Sequence, residues 1–367
     1  MEMKQQTLGT DIAIVLGTRP EIIKMSPVIR ALERAGAPFF VLHTGQHYSY
    51  DLDRVFFEEL ELPCARYNLE VGSGSHGEQT GRMLIAVEEV FAKEHPALVL
   101  VEGDTNSVLA GALAATKLHI NVGHVEAGLR SYDRQMPEEI NRVLTDHCSD
   151  YLFAPTENAR RILLGEGVPD GKIYVTGNTI VDAVFQNLEI ARSDAASDVT
   201  ALGLEPKEYF LVTLHRQENV DSRSRFAAIL EGLDRIATQF GLPVVYPIHP
   251  RSRKMMMQFD LRATNLRIIE PLSFLGFLQL ESNARLILTD SGGVQEESCI
   301  LGVPCITLRD NTERPETLEV GANILAGAQP DRIVTGTGLM LQRRNDWTNP
   351  FGDGTAGEKI VKTVIEA

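Results

Sequence analysis

Short apolar runs alternate with longer amphipathic segments along the chain, from Asp11 to about Gln342. Apolar runs bounded by turn residues are typical of buried strands, and apolar positions that recur every three or four residues are typical of helices packed on a sheet. Their alternation predicts parallel strands joined by helices. The predicted strands are 11–18, 38–45, 97–104, 121–128, 150–156, 172–178, 209–215, 243–249, 266–270, 285–290 and 304–309.

The pattern is interrupted between about Arg192 and Glu208, where apolar periodicity is lost before a new strand begins. A chain of 367 residues exceeds the size at which one core usually stops growing. We therefore predict two doubly wound Rossmann-like α/β domains facing across a cleft, residues 1–190 and 191–350. Ligand-binding loops lie at the carboxyl ends of such strands, so the cleft is the expected ligand site.

Composition excludes several classes of function. Apolar residues make up 43% and charged residues 23%, which is typical of a soluble globular protein. No apolar run reaches membrane-spanning length, and residues 1–8 lack the core of a secretory signal, so we expect a cytoplasmic protein without membrane partners. A net charge of −15 argues against a general nucleic-acid surface. The four cysteines show no C-x-x-C spacing, and we expect buried thiols.

Charged residues follow several strands of the first half. Arg19 lies in the turn after the first strand and Lys24 one helical turn later, where a helix amino terminus would favour an anion. Asp104 ends an apolar strand, and Glu126 and Glu138 follow in HVEAG and at the start of another helix. We expect these three carboxylates to face one site. The alternatives are a helix cap for Asp104, a dipole partner for Glu138 and solvated charges in the first turn.

In the second half, His215 and His249 each end a strand and each has an arginine close behind it. They are candidates for diphosphate or sugar contacts, the alternative being satisfied structural histidines. The loop Ser291-Gly292-Gly293 opens a helix whose free N–H groups suit a phosphate. Glu297, one turn later, is placed to reach ribose hydroxyls unless it serves only as a helix or solvent carboxylate.

Two other motifs are weak. Gly72-Ser73-Gly74-Ser75-His76-Gly77 matches G-x-G-x-x-G, but it follows a short, weak strand, so we predict no nicotinamide cofactor. His43 and His47 are four residues apart, yet the intervening glycine ends a strand and no third ligand follows at a recognisable spacing. We predict no metal site.

Taken together, the motifs resemble one family, the non-hydrolysing UDP-N-acetylglucosamine 2-epimerases, which have the glycosyltransferase-B fold. The similarity runs nearly from end to end, and the motifs are specific in combination rather than singly. They are GTRPEIIKMSPV at 17–28, TGQHY at 44–48, EGDTNSVLAGALAA at 102–115, HVEAGLRS at 124–131, MPEEINR at 136–142, VTGNTIVDA at 175–183, TLHRQEN at 213–219, TDSGGVQEE at 289–297, RDNTERPE at 309–316 and NPFGDG at 349–354.

This resemblance implies a UDP-binding second domain and a first domain that acts on the sugar, with residues 351–367 crossing back to the first domain. It implies no cofactor, a homodimer, and a product used in polysaccharide biosynthesis. Lys24, Asp104, Glu126 and Glu138 would surround the sugar in catalysis, together with His215. The residues implied to hold UDP are Arg19, His215, Phe277, Ser291, Gly292, Gly293, Glu297 and Arg314. Gln46, His47 and His249 resemble positions that contact a second, activating UDP-N-acetylglucosamine.

The implied reaction interconverts UDP-N-acetylglucosamine and UDP-N-acetylmannosamine. Carbon 2 of the sugar has no neighbouring carbonyl, so its proton becomes removable only as UDP leaves carbon 1. A glycal intermediate would form and then take back UDP after protonation on the other face. Asp104 and Glu138 are our acid and base candidates, with Glu126 in support. The rival interpretations are a glycosyltransferase, a hydrolysing epimerase and a non-catalytic UDP-sugar sensor.

Overall fold

The computed structural model describes residues 11–45, 50–193 and 198–366. These residues form two compact units. Unit 1 comprises the described residues up to Ala183 together with those from Phe351 onward, and unit 2 comprises Val184–Pro350.

Unit 1 contains a parallel sheet of seven strands in the order β3-β2-β1-β4-β5-β6-β7. Strands β1 and β4 are buried along their whole length, which explains why both read as unbroken apolar runs. The strands are β1 (Ile12–Leu16), β2 (Phe39–His43), β3 (Tyr67–Asn68), β4 (Leu98–Glu102), β5 (Asn121–Val125), β6 (Tyr151–Ala154) and β7 (Ile173–Val175).

Helices connect these strands and cover the sheet. The first of them begins with a capping interaction, in which the Glu21 side chain accepts a hydrogen bond from the Thr18 amide at 2.9 Å, and it ends at Gly36 with φ +64°. The helices are α1 (Arg19–Ala35), α2 (Tyr50–Glu59), α3 (His76–Glu94), α4 (Asn106–Lys117), α5 (Pro137–Cys148), α6 (Glu157–Gly165) and α7 (Thr179–Ser193), with a 3₁₀ turn at Asp170–Lys172.

Unit 2 contains a second parallel sheet, with six strands in the order β10-β9-β8-β11-β12-β13. The strands are β8 (Phe210–Thr213), β9 (Val244–Pro247), β10 (Leu266–Ile269), β11 (Leu286–Thr289), β12 (Cys305–Thr307) and β13 (Asn323–Leu325). The helices are α8 (Asp198–Ala201), α9 (Gln217–Val220), α10 (Arg223–Phe240), α11 (Pro250–Gln258), α12 (Phe274–Asn283), α13 (Gly292–Ile300), α14 (Pro315–Glu319) and α15 (Pro330–Gln342).

The chain returns to unit 1 after unit 2. Its last helix, α16 (Ala356–Glu366), packs on α1, and Gly357 approaches Pro27 so closely that an added Cβ would lie 2.9 Å from the Pro27 backbone. The Asp182 carboxylate accepts hydrogen bonds from the Ala356 and Gly357 amides at 3.2 and 2.9 Å. This carboxylate therefore caps the amino terminus of α16.

Each sheet has one place where its strand order reverses, between β1 and β4 in unit 1 and between β8 and β11 in unit 2. Helices leave the two strands on opposite faces there, so the loops that follow diverge and leave room for a ligand. In unit 1 these loops begin at Gly17 and Gly103, and in unit 2 at Leu214 and Asp290.

The predicted strands are all found, although several end earlier than expected; the strand expected at 121–128 ends at Val125. Strand β13 was not predicted, and β3 was expected only as a short, weak strand before Gly72, because two or three residues are too few to produce an alternating pattern. In the part of the chain that the structure describes, no helix is both long and apolar enough to cross a membrane.

Candidate functional site

In unit 1, Lys24 is held between two glutamates. Its ammonium lies 2.7 and 2.8 Å from the two carboxylate oxygens of Glu126 and 3.3 Å from Oε1 of Glu102. Lys24 comes from α1, Glu102 is the last residue of β4, and Glu126 follows β5. Three neighbouring elements thus bring their charges to one point at the edge of the sheet.

Glu102 is almost completely buried, with 2% of its side chain exposed. Burial raises the pKa of its carboxyl well above the usual value; the Lys24 ammonium lowers that pKa, and the charges of Glu126 and Glu21 raise it. The net direction is upward because burial outweighs the attraction of the Lys24 ammonium.

Glu126 has an uncommon backbone conformation, with φ +70°, which turns the chain sharply just after β5. The side chain is anchored at both oxygens: Lys24 contacts both, and Asn178 Nδ2 donates to Oε1 at 3.1 Å. Such anchoring suits a fixed charge better than a group that moves during a reaction.

Asp104 is half-buried, and its carboxylate forms a very short ion pair with the Arg142 guanidinium. Its backbone carbonyl accepts a hydrogen bond from Asn141 Nδ2 at 2.9 Å. Two side chains of α5 therefore hold the loop after β4. The structure places Asp104 beside a cation and not as the cap of α4, a role taken by Thr105.

Glu138 and Glu139 are neighbours in the first turn of α5 but have opposite environments. Glu138 is exposed, whereas Glu139 is buried and accepts hydrogen bonds at 2.9 Å from the Ser131 and Tyr132 amides. Burial raises the pKa of Glu139, but those hydrogen bonds and the Arg142 charge outweigh it, and the pKa lies below its usual value. Glu139 thus fixes the local chain while Glu138 faces solvent.

Arg19 begins α1, and its guanidinium lies over the Phe56 ring at 5.7 Å. Beneath this turn, the buried Glu21 accepts hydrogen bonds from the Gly17 amide and the Thr105 hydroxyl, each at 2.5 Å. Burial raises the pKa of Glu21 to about 7, despite these hydrogen bonds. Glu21 therefore joins the loops after β1 and β4 at the reversal point of the sheet.

A buried polar network supports the loop after β4 from below. His124 Nδ1 lies 2.6 Å from Asp146 Oδ1, and His124 Nε2 lies 2.8 Å from the Gly103 carbonyl oxygen. Arg130 contacts the other oxygen of Asp146 at 2.7 Å. The imidazole thus ties the backbone immediately before Asp104 to a buried ion pair.

In unit 2, the loops after β8 and β11 are joined by Asp290. This fully buried carboxylate accepts hydrogen bonds from the His215 and Arg216 amides at 3.0–3.1 Å and lies 3.2 Å from His215 Nδ1. Asn219 donates to it at 3.1 Å. Burial raises the pKa of Asp290, but His215 and these hydrogen bonds dominate, and the pKa lies below its usual value. The charge fixes His215 at the strand end.

His249, which ends the loop after β9, lies near His215 with ring centroids 5.6 Å apart and ring planes tilted by 40°. Its Nδ1 accepts a hydrogen bond from the Arg251 amide at 3.1 Å and so caps α11. Burial and the charges of His215 and Arg251 lower the pKa of His249. The other two residues predicted for a second nucleotide, Gln46 and His47, lie outside the described residues.

Ser291 occupies the N-cap position of α13, and Gly292 and Gly293 lie in the first turn of this helix. Thr289, the last residue of β11, accepts a hydrogen bond from the Ser291 amide at 2.9 Å and pairs with Thr213 of β8 at 2.6 Å. The first turn of a helix leaves its N–H groups without intrahelical acceptors, so this loop presents donors beside His215 at the reversal point of the sheet.

The remaining predicted residues of unit 2 surround α13. Glu297 is buried beside Glu281, and burial raises the pKa of Glu297 to about 7 and that of Glu281 well above its usual value. Arg314 Nε pairs with the buried Glu296 at 2.8 Å. Phe277, on α12, is half-buried and packs against the core of the unit. One helix therefore positions a carboxylate, an arginine partner and the glycine loop.

Sequence reasoning missed several residues that hold these groups in place. They are Glu21, Glu102, His124, Arg142, Asn178, Glu281 and Asp290. A signal existed for two of them, since Glu102 and Asp290 are charged residues at the end of buried strands. The residues that the others contact lie elsewhere in the chain, and only the fold brings these partners together.

Two doubly wound parallel sheets, each with polar loops at its reversal point, define a class of nucleotide-binding α/β proteins. Within that class, a sequence model described as UDP-N-acetylglucosamine 2-epimerase matches residues 30–365. The chain belongs to this family, and both the family resemblance and the predicted enzyme class are confirmed.

The chain is 57% identical over 359 residues to the UDP-N-acetylglucosamine 2-epimerase of Methanocaldococcus jannaschii, covering 96% of this chain and 98% of that protein. A protein of the same name from Methanococcus maripaludis is 55% identical over 360 residues, covering 96% and 98%. The crystal structure of the M. jannaschii enzyme in complex with UDP-GlcNAc and UDP is similar with a TM-score of 0.86 at 56% identity, covering 97% of this chain and all of that one. The predicted glycosyltransferase-B fold class is confirmed by this similarity.

Proposed function

We propose that the protein interconverts UDP-N-acetylglucosamine and UDP-N-acetylmannosamine by elimination and re-addition of UDP through a glycal. The observation that carries the proposal is the Lys24 ammonium paired with Glu126, with Asp104 held on the neighbouring loop by Arg142. Fixed carboxylates and a cation at a strand edge suit proton transfer at carbon 2 and compensation of a developing positive charge at carbon 1.

In this proposal unit 2 binds UDP. His215, held by Asp290, and the amides of Gly292 and Gly293 would receive the diphosphate together with Arg314, and Arg19 of unit 1 would add a further positive charge. Glu297 would accept hydrogen bonds from the ribose hydroxyls, and Phe277 would pack near the uracil. The M. jannaschii enzyme was crystallised in complex with UDP-GlcNAc and UDP, which supports this choice of nucleotide.

Unit 1 would act on the sugar. Asp104 and Glu138 are the proposed acid and base, one for each face of the ring, because both are accessible to solvent. Asp104 is held by its ion pair with Arg142, and Glu138 by its place in the first turn of α5. Glu126 is anchored by Lys24 and Asn178, which fits a supporting charge. No redox group is required by this route.

The test is to incubate the protein with UDP-N-acetylglucosamine alone in deuterated water and to follow the sugar by NMR. We expect deuterium at carbon 2 together with UDP-N-acetylmannosamine. Release of free N-acetylmannosamine and UDP would indicate a hydrolysing enzyme, and dependence on an added acceptor would indicate a glycosyltransferase. Binding without exchange would leave only a UDP-sugar sensor.

We also propose, from the family resemblance, a cytoplasmic homodimer. Sedimentation at several protein concentrations tests the dimer, and a monomer throughout would contradict it.

Activation by a second UDP-N-acetylglucosamine is also proposed from the family resemblance. It predicts sigmoidal rate curves that become hyperbolic in the His249→Ala variant.

A further inference from the structure

Glu102, Lys24 and Glu126 form a chain of three ionisable groups, of which only Lys24 can carry a positive charge. Their side chains are 2%, 15% and 9% exposed, so solvent screens them little. Lys24 can compensate one carboxylate fully, and a second ionised carboxyl in the same buried place would lack a counter-charge. Such a trio is expected to keep one proton at neutral pH.

The geometry indicates which carboxyl keeps that proton. Lys24 contacts both oxygens of Glu126 at 2.7 and 2.8 Å, whereas its contact with Oε1 of Glu102 is longer, at 3.3 Å. Glu126 also receives a hydrogen bond from Asn178, which favours its ionised form. Glu102 has the longer contact and the lower exposure, and is therefore the group that remains neutral.

We infer that Glu102 is a positioning residue that acts through Lys24: neutral Glu102 leaves the ammonium on Glu126, and ionised Glu102 draws the ammonium away. The inference deepens the proposed function, on which its kinetic part rests. As a carboxyl in the last position of β4, Glu102 does not touch the reacting atoms; it sets the charge of the pair that supports them.

Three charged groups, from two neighbouring elements, act on the Glu102 carboxyl. Lys24 and Glu21 approach from α1, and Glu126 from the loop after β5. Burial and the two other carboxyl groups favour neutral Glu102, and only Lys24 opposes them. Ionisation of Glu102 is therefore expected on the alkaline side of its usual range, where it would weaken the Lys24–Glu126 pair.

The first experiment needs no substrate. In protein labelled with ¹³C at glutamate side-chain carboxyls, the Glu102 signal, assigned with Glu102→Gln, is followed against pH. We expect a midpoint well above that of an ordinary glutamate and a lower midpoint in Glu126→Gln, which removes a like charge. The matched control, Glu88→Gln on the exposed side of α3, should leave the midpoint unchanged. An ordinary midpoint, or one that ignores Glu126→Gln, overturns the inference.

The second experiment measures kcat and KM against pH with UDP-N-acetylglucosamine. In wild type, kcat should decline at alkaline pH as Glu102 ionises and weakens the Lys24–Glu126 pair. Gln imitates neutral Glu102, so Glu102→Gln should keep kcat within about threefold of wild type at neutral pH and should not show this decline. Glu102→Leu removes the polar contact and should lower kcat by about tenfold or more, with KM within about twofold. Equal losses in both variants, or a Gln profile that superimposes on wild type, would mean that Glu102 only fills space. If wild type shows no turnover, the proposed function fails while the NMR titration still decides the charge arrangement.

Discussion

The Asn178 amide donates a hydrogen bond to the Phe351 carbonyl oxygen at 2.8 Å, and the same residue's side chain donates to Glu126 at 3.1 Å. Asn178 thereby connects the segment that returns from unit 2 to the Lys24–Glu126 pair through two hydrogen bonds. The helix that follows this segment, α16, packs on α1.

Gly357→Ala should destabilise unit 1 by about 1–3 kcal/mol, because the new Cβ would lie 2.9 Å from the Pro27 backbone. In most helices the same change stabilises by about 0.5–1 kcal/mol. Gly81→Ala in α3, where an added Cβ meets nothing within 4 Å, provides that contrast. Thermal unfolding followed by circular dichroism measures both variants; an equal gain in the two would refute close packing of α16.

Asp104→Asn should lower kcat by about 10²–10⁴ and leave the UDP affinity within about twofold, because the amide cannot exchange a proton and UDP is assigned to unit 2. Calorimetric titration with UDP and the NMR assay of epimerisation measure the two quantities. Asp133→Asn, an exposed position of the same unit, is the control and should alter neither. Retained turnover in Asp104→Asn would remove this residue from the mechanism.

Asp290→Asn should loosen the loop that carries His215. It should weaken UDP binding and destabilise unit 2 by about 2–4 kcal/mol at neutral pH, since the buried charge accepts hydrogen bonds from two amides. The native pKa of Asp290 lies below its usual value of 3.8, so its stabilising contribution is present above that value and is lost as pH falls through the native pKa. The difference from wild type should accordingly vanish at strongly acidic pH.

The fluorescence of Trp347 suits this measurement, since it is the single tryptophan of the chain and its indole donates to the Cys299 carbonyl of α13 at 2.9 Å. Urea unfolding followed at this residue therefore reports on unit 2. A difference that persists unchanged in acid would contradict the assignment of the effect to the Asp290 charge.

Glu297→Gln should change the pH dependence of stability. Burial raises the pKa of Glu297 from 4.5 to about 7, so its stabilising contribution is complete below 4.5 and is lost as pH rises towards 7. Relative to wild type, the variant should gain about 2–3 kcal/mol between pH 4.5 and 8. Urea unfolding followed by Trp347 fluorescence at both pH values measures the gain. A stability difference between variant and wild type that is the same at both pH values would argue against a buried, protonated pair of Glu297 and Glu281.

The fold could be predicted because its central strands, such as β1 and β4, are buried along their whole length. Such strands appear as apolar runs, and the loops at their ends collect polar and charged residues, as at Ser291 and Asp104. The pattern does not reveal burial within a single turn. Glu138 and Glu139 are adjacent and chemically alike, yet the chain at Ser131 and Tyr132 buries only the second.

Partners from distant positions were equally out of reach. Arg142 finds Asp104, and Asn178 finds Glu126, through packing of helices on neighbouring strands. Glu102 directly follows Val101, the last residue of an apolar run, so its position in the sequence indicates only the end of a strand. Its meeting with Lys24 depends on the lateral order of β1, β4 and β5, which sequence spacing does not specify.

The route of the chain also has a consequence for biosynthesis. Unit 2 is one continuous stretch, Val184–Pro350, whereas unit 1 needs α16, which the ribosome delivers after all of unit 2. In a nascent chain, the face of α1 that α16 covers therefore stays without this helix until unit 2 has been synthesised. During that interval the surface of α1 around Pro27 lacks the helix that packs on it in the folded protein.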